Sequence, residues 1–184
     1  MDRIGPTPEI RRRPTLGRRL DFIARVSFPV ACTLLLMLLT AMPFGVAGQA
    51  AFLPAIALAS VWFWSLFRPA SMPAPAVFLI GLVCDLLGYV PLGVGVLTLL
   101  LVHGIAARSR RILTHWGFLP IWLAFLVLAA GAAALGWALT SLMQFRLKPA
   151  GVAVFEWALA GALYPALAIL FARAHRTLAD PERA

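Results

Sequence analysis

Six long apolar runs follow one another along the chain, and this pattern limits the possible folds more than any other feature. They cover approximately residues 27–44, 51–67, 75–90, 92–107, 116–143 and 152–172. A helix needs ~20 apolar residues to cross a bilayer, so the third and fourth runs are short spans. Only 12% of the residues are charged, against about a quarter in soluble domains. The sequence therefore predicts an all-α, polytopic membrane protein with six transmembrane helices.

The apolar runs divide the chain into three parts. Residues 1–26 form a basic N-terminal tail, residues 27–173 the six-helix transmembrane domain, and residues 174–184 a C-terminal tail. Within the first tail, Arg11 to Arg13 are either a patch for a membrane surface or partner, or an orientation signal on a disordered segment, which we favour. A cleaved signal peptide is the rival interpretation of the first run, but the tail before it is long for one.

The basic residues predict the orientation. If all six runs cross the membrane, 14 of the 16 Lys and Arg residues lie on one side, and only Arg146 and Lys148 lie on the other. The positive-inside rule then puts both termini in the cytoplasm. The net charge of +9 thus indicates contact with lipid headgroups and not with nucleic acid.

Aromatic residues cluster near the ends of several runs. Trp62 and Trp64 come late in the second run, and Trp116 and Trp122 come early in the fifth. Because amphipathic rings favour the headgroup level of a bilayer, we expect these side chains to lie at the membrane boundary on the cytoplasmic side.

Asp85 is the most conspicuous single residue, because it lies inside the third apolar run. A carboxylate there costs about 2.5–3.5 kcal/mol on insertion scales, so it should face protein or water. The functional interpretations are a proton relay, an ion site or a partner contact. We favour a buried anchor whose oxygens are satisfied by hydroxyls or helix-end amides. In a hairpin of the third and fourth helices, Asp85 would lie level with Thr98, and His103 would lie deeper as a packing residue.

No pattern of an enzyme or a metal site is present. The chain has no P-loop, no H-E-x-x-H and no G-x-S-x-G motif. Glu156, near the outer end of the sixth run, can reach the interface or pair with Arg146 or Lys148. The two cysteines lie in apolar runs and are typical of small buried side chains. The sequence predicts neither catalysis nor a cofactor.

Two further features concern packing and recognition. The connection at residues 88–93 is uncharged and contains Pro91, which cannot continue a helix, so it is either an ordinary turn or a recognition element on the outer face. Small residues recur at spacing four on the fifth and sixth helices, a pattern used for close helix contact. We favour internal packing over a partner helix for these stripes, which are Ala132, Gly136 and Thr140, and Ala158, Ala162 and Ala166.

The middle of the chain resembles a known family. An aromatic-rich run ends in Arg68-Pro69, and it is followed by Gly81-Leu-x-x-Asp85, by Pro91-Leu-Gly93 and by a basic segment that begins at Arg108. These motifs, over approximately residues 50–115, resemble the MreD family of bacterial rod shape-determining proteins.

The resemblance implies a fold similar to the substrate-binding membrane subunits of energy-coupling-factor transporters. It implies a non-enzymatic scaffold of the elongation complex in the bacterial inner membrane. Such a scaffold binds MreC and works, directly or through MreC, with MreB, RodA and its partner transpeptidase. Its role is to help position or regulate side-wall peptidoglycan synthesis. The matching positions, Gly81, Asp85, Pro91 and Gly93, together with Arg68, become candidates for structural or partner-binding roles. Two alternatives stay open: a small-molecule-binding transporter subunit, and a membrane enzyme or proton-coupled carrier that uses Asp85 and Glu156.

Overall fold

The computed structural model describes residues 16–42, 45, 48–88 and 91–179. All regular structure in these residues is helical. Short 3₁₀ turns lie at Gln49–Ala51 and Pro69–Ser71. The six α-helices are α1 (Leu16–Ala41), α2 (Phe52–Phe67), α3 (Ala74–Gly88), α4 (Val94–Leu113), α5 (Phe118–Met143) and α6 (Ala150–Ala179). Each predicted apolar run falls on one of these helices, which confirms the all-α fold class.

Two helices extend beyond their apolar runs. Helix α1 begins at Leu16, so the last part of the basic tail is helical and its interpretation as disordered is wrong there. Helix α4 continues through its arginines to Leu113. The patch at residues 11–13, the middle of the α3–α4 connection and the end of the C-terminal tail lie outside the described residues.

Among the described residues, three helical segments have the length and hydropathy of membrane spans. They are Gln49–Phe67, Phe118–Met143 and Ala150–Ala174. Ser27–Ala41 and Ala74–Gly88 are shorter apolar helices. The shortness of α3 follows from its position between two proline-containing connections, because Pro73 and Pro91 flank it.

Helix α2 is the centre of the bundle. It contacts each of the other five helices, and 13 of its 16 residues are buried. Trp62 and Trp64 are 1% and 0% exposed, so their rings face the bundle interior and not, as the sequence suggested, the lipid headgroups. A central helix has no lipid-facing side at this level, and its rings pack instead on Phe125 and Phe171 of neighbouring helices. Trp116, by contrast, is 56% exposed.

Helices α5 and α6 meet through a glycine that the small-residue stripes do not include. A Cβ at Gly161 would collide with the Leu126 side chain, and the Trp122 indole donates to the Gly161 carbonyl at 3.0 Å. The stripe Ala158, Ala162 and Ala166 is exposed, so internal packing is the wrong interpretation for it. Helix α6 instead turns Tyr164 and Phe171, among other residues, toward the core.

Candidate functional site

The Asp85 carboxylate ties α3 to the start of α4. It is 3% exposed, and it accepts hydrogen bonds from the backbone N–H groups of Gly93 at 2.8 Å, Gly95 at 2.7 Å and Val96 at 3.3 Å. The first N–H groups of a helix have no partner within the helix, and their partial positive charge favours an anion. Asp85 therefore caps α4 from a neighbouring helix and leaves none of these three amides unsatisfied.

Two glycines let the helices approach closely enough for this cap. An ideal Cβ at Gly81 would lie 2.6 Å from the Cα of Val96, and a Cβ at Gly95 would collide with a carboxylate oxygen of Asp85. A larger residue at Gly81 would separate the helices, and one at Gly95 would displace the Asp85 carboxylate from its hydrogen bonds. Gly81 and Asp85 lie one helical turn apart on α3, so both project toward the same part of α4.

Pro91 and Gly93 shape the chain that enters α4. The Val94 N–H donates to the Pro91 carbonyl at 3.3 Å, and the Leu97 N–H donates to the Gly93 carbonyl at 2.9 Å. Gly93 has φ +100°, a backbone conformation that side chains with a Cβ rarely adopt. Because of this conformation, the chain turns sharply enough to aim the Gly93 and Gly95 amides at one carboxylate.

The two polar residues considered as neighbours of Asp85 have other hydrogen-bond partners. Thr98 donates its hydroxyl to the Val94 carbonyl at 2.7 Å within α4. His103 lies 2.8 Å, through its Nδ1, from the Ser65 hydroxyl of α2. These bonds give Thr98 and His103 packing roles within α4 and between α4 and α2.

Arg68 lies at the opposite end of α3 from Asp85, just after the C-terminus of α2. Its N–H donates to the Trp64 carbonyl at 2.7 Å, and Pro69 begins a 3₁₀ turn directly after it. Its guanidinium is partly buried, and Nη1 has no hydrogen-bond partner among the described residues. The five candidate residues therefore form two groups: Gly81, Asp85, Pro91 and Gly93 in one unit, and Arg68 apart from it.

A cavity of about 160 Å³ lies beside this unit, between α2, α4, α5 and α6. No motif in the sequence predicts this cavity. Small residues on α5 and α6 leave the space open, and one stripe noted in the sequence, Ala132, Gly136 and Thr140, lies along its wall. Asp85 and Thr98 line it on the α3–α4 side, and Trp137 and Trp157 on the α5–α6 side.

Two oppositely charged side chains also line the cavity. Lys148 lies on the α5–α6 connection, and Glu156 lies in the second turn of α6. The connection is held in place, because the Trp137 indole donates to the Lys148 carbonyl at 2.9 Å and the Lys148 N–H donates to the Ser141 hydroxyl at 3.4 Å. Two hydrogen bonds therefore fix the backbone at Lys148.

The site has the chemistry of binding and packing. In the part of the chain that the structure describes, no group of three or more His, Cys, Asp or Glu side chains is arranged to hold a metal ion. Asp85 is fully engaged by backbone amides, whereas Lys148 and Glu156 face a space that is otherwise mostly apolar.

Comparison with known proteins identifies one family. The family model for the rod shape-determining protein MreD matches residues 20–174. This range includes all of α2 to α5, most of α1 and α6, and all residues of the capped hairpin and the cavity. Searches of curated proteins and of solved structures found no match.

Proposed function

The chain belongs to the MreD family of rod shape-determining proteins, and from this premise we propose that it is a non-enzymatic scaffold of the elongation complex. Membership implies a role in rod shape determination within the membrane. The proposal adds that the chain binds MreC and acts, directly or through MreC, with MreB, RodA and its partner transpeptidase. In this role it helps to position or regulate side-wall peptidoglycan synthesis.

The observation that carries the proposal is the interlocked α3–α4 hairpin. Its conspicuous intramembrane carboxylate caps a helix, so the hairpin is a rigid unit and Asp85 is already occupied. The turn beyond it carries no charge in residues 88–93, and Leu92 is 60% exposed. A rigid element with an exposed apolar tip suits recognition of another protein.

The proposed topology puts this tip on the periplasmic side. In it, all six helices cross the inner membrane, and both termini lie in the cytoplasm. The asymmetry of 14 basic residues against two supports this arrangement. Arg108, Arg110 and Arg111, at the other end of α4, then lie at the cytoplasmic headgroups.

Depletion tests the function as a whole. Cells that lose the protein should become round and should lose the normal localisation of MreC, and re-expression of the full chain should restore both. Cells that stay rod-shaped with MreC in place would contradict the proposal.

Site-directed photocrosslinking tests the contact itself. A photoreactive residue at Leu92 should capture MreC in native membranes. The same probe at Ile112, which is 63% exposed near the other end of α4, is the matched control and should not. Equal capture at both positions, or capture at neither, would reject the α3–α4 turn as the docking element.

A second candidate is a small-molecule-binding subunit of a transporter, the alternative suggested by six predicted spans and an intramembrane Asp85. The cavity beside Asp85, with Thr98 and Glu156 in its wall, is the observation that favours it. Tight binding of a water-soluble, vitamin-like ligand by the purified chain would support this candidate over the scaffold.

The third candidate, a proton-coupled carrier or enzyme, is tested best at Glu156. Asp85 is unsuitable because its replacement also removes a helix cap. Full restoration of rod shape by a Glu156→Gln chain would exclude proton chemistry at that side chain.

A further inference from the structure

The cavity between α2, α4, α5 and α6 is large enough to take up part of a ligand. Its volume of about 160 Å³ is comparable to that of a cavity engineered in a soluble protein, which takes up a small apolar molecule. The walls are mainly alanine, leucine and valine side chains together with two indoles. Both indole N–H groups are already committed, Trp137 to the Lys148 carbonyl and Trp157 to the Leu126 carbonyl. The tryptophans therefore offer the cavity hydrocarbon surface and not hydrogen bonds.

Against these apolar walls, the cavity has a charged group of each sign. The Lys148 ammonium is on the pinned connection, and the Glu156 carboxylate is on α6. Asp85 also lines the cavity, but its carboxylate oxygens already accept hydrogen bonds from three backbone amides. Charged groups are costly within a membrane protein and are retained where something pairs with them. A ligand that carries both an anionic and a cationic group would pair with both side chains at once.

We propose that this cavity binds a zwitterionic phospholipid, with its phosphate at Lys148, its primary ammonium at Glu156 and part of an acyl chain between the tryptophans. The cavity geometry carries this proposal, which does not depend on the role in the elongation complex. The apolar walls select a lipid over a water-soluble zwitterion. The exposed surface of the flanking helices, such as Val127 at 76% and Val154 at 57%, borders the hydrocarbon from which a lipid would enter.

The chemistry at Glu156 sets a headgroup preference. A primary ammonium has three N–H donors for a carboxylate, whereas a trimethylated ammonium has none. A glycerol headgroup has no cationic group to offer. The expected order of affinity is therefore phosphatidylethanolamine, then phosphatidylcholine, then phosphatidylglycerol, for equal acyl chains.

Native mass spectrometry of the purified full-length chain, titrated with each of these three lipids, tests the proposal. Lys148→Gln should weaken phosphatidylethanolamine binding about tenfold, the effect of losing one charge-assisted hydrogen bond. Arg146→Gln is the matched control, because Arg146 lies on the same connection but outside the cavity, and it should change nothing. Glu156→Gln should remove the preference for phosphatidylethanolamine over phosphatidylcholine.

A pair of alanines provides a second, independent test. Ala153→Leu should fill the cavity and reduce binding of all three lipids, whereas Ala158→Leu on the exposed face of α6 should not. Equal affinity of the three lipids for the unaltered chain, or equal loss from Lys148→Gln and Arg146→Gln, would overturn the proposal. So would binding of free phosphoethanolamine with the affinity of the lipid, since it would identify a water-soluble ligand instead.

Discussion

The α3–α4 hairpin and the α5–α6 hairpin both consist of adjacent antiparallel helices, but small residues have opposite effects in the two. In α3–α4, atoms of the neighbouring helix lie so close to Gly81 and Gly95 that neither position has room for a methyl group. In α5–α6, Gly161 makes one such contact, whereas Gly136 has no atom within 4 Å of an added Cβ. The first hairpin is closed along its contact, and the second opens into the cavity.

The positions of the polar groups differ in the same way. In α3–α4, the carboxylate of Asp85 accepts hydrogen bonds from three backbone N–H groups. In α5–α6, Lys148 and Glu156 line free space. An intramembrane charge therefore does not by itself mark a ligand site. What distinguishes the two hairpins is whether hydrogen-bond donors of the protein already engage the charged group that borders the cavity.

The largest effect is expected from Gly81→Ala. The added Cβ would lie 2.6 Å from the Val96 Cα. Because this contact is with the backbone, no flexible side chain can move aside to relieve it. We expect a loss of about 3 kcal/mol in the free energy of unfolding, measured by denaturant titration in detergent. Gly104→Ala, where the new methyl meets nothing within 4 Å, is the control. Equal stability of the two variants would show that the hairpin is not closed.

Asp85→Ala should have the next largest effect. The substitution leaves three partly buried N–H groups without their acceptor, and we expect a loss of about 2 kcal/mol in the free energy of unfolding. Asp85→Asn keeps one acceptor oxygen and should recover part of this loss in the same unfolding assay. If Ala and Asn were equally destabilising, the charge and not the hydrogen bonds would hold the hairpin.

Asp85 shows how much of the site can be predicted from the sequence. Asp85 is recognisable because a carboxylate in an apolar run needs a partner, and helix-end amides are among the few partners available there. The sequence does not reveal which amides they are. A register counted from Pro91 gave Thr98 as the level of Asp85, whereas the left-handed backbone of Gly93 brings the chain back so that residues 93–96 meet the carboxylate.

A smaller effect should follow from Trp137→Phe. The ring keeps its place in the cavity wall, but its hydrogen bond to the Lys148 carbonyl is lost. We expect a loss of about 1 kcal/mol in the free energy of unfolding, together with faster proteolytic cleavage of the α5–α6 connection. Trp116→Phe serves as the control, because that ring is 56% exposed. An unchanged cleavage rate would mean that Trp137 does not pin the connection.

The cavity is harder to predict from the sequence than the helix cap at Asp85. The stripe of Ala132, Gly136 and Thr140 has the spacing of a helix contact, and the stripe on α6 has the same spacing. In the structure, the first lies along a cavity wall and the second faces outward. Spacing identifies a common face of a helix. Whether that face meets a helix, an empty volume or lipid depends on side chains from several other helices at once.

The smallest effect, Gly136→Ala, is the most direct test of the comparison between the hairpins. The new methyl group would enter free space, and alanine restricts the unfolded backbone more than glycine does, so we expect either no change or a gain of about 0.5 kcal/mol. The substitution is chemically the same as Gly81→Ala, so the difference between their unfolding free energies reports packing alone. A loss at Gly136 as large as the loss at Gly81 would mean that α5 and its neighbours close on each other as tightly as α3 and α4 do, and that the cavity is not maintained in the membrane.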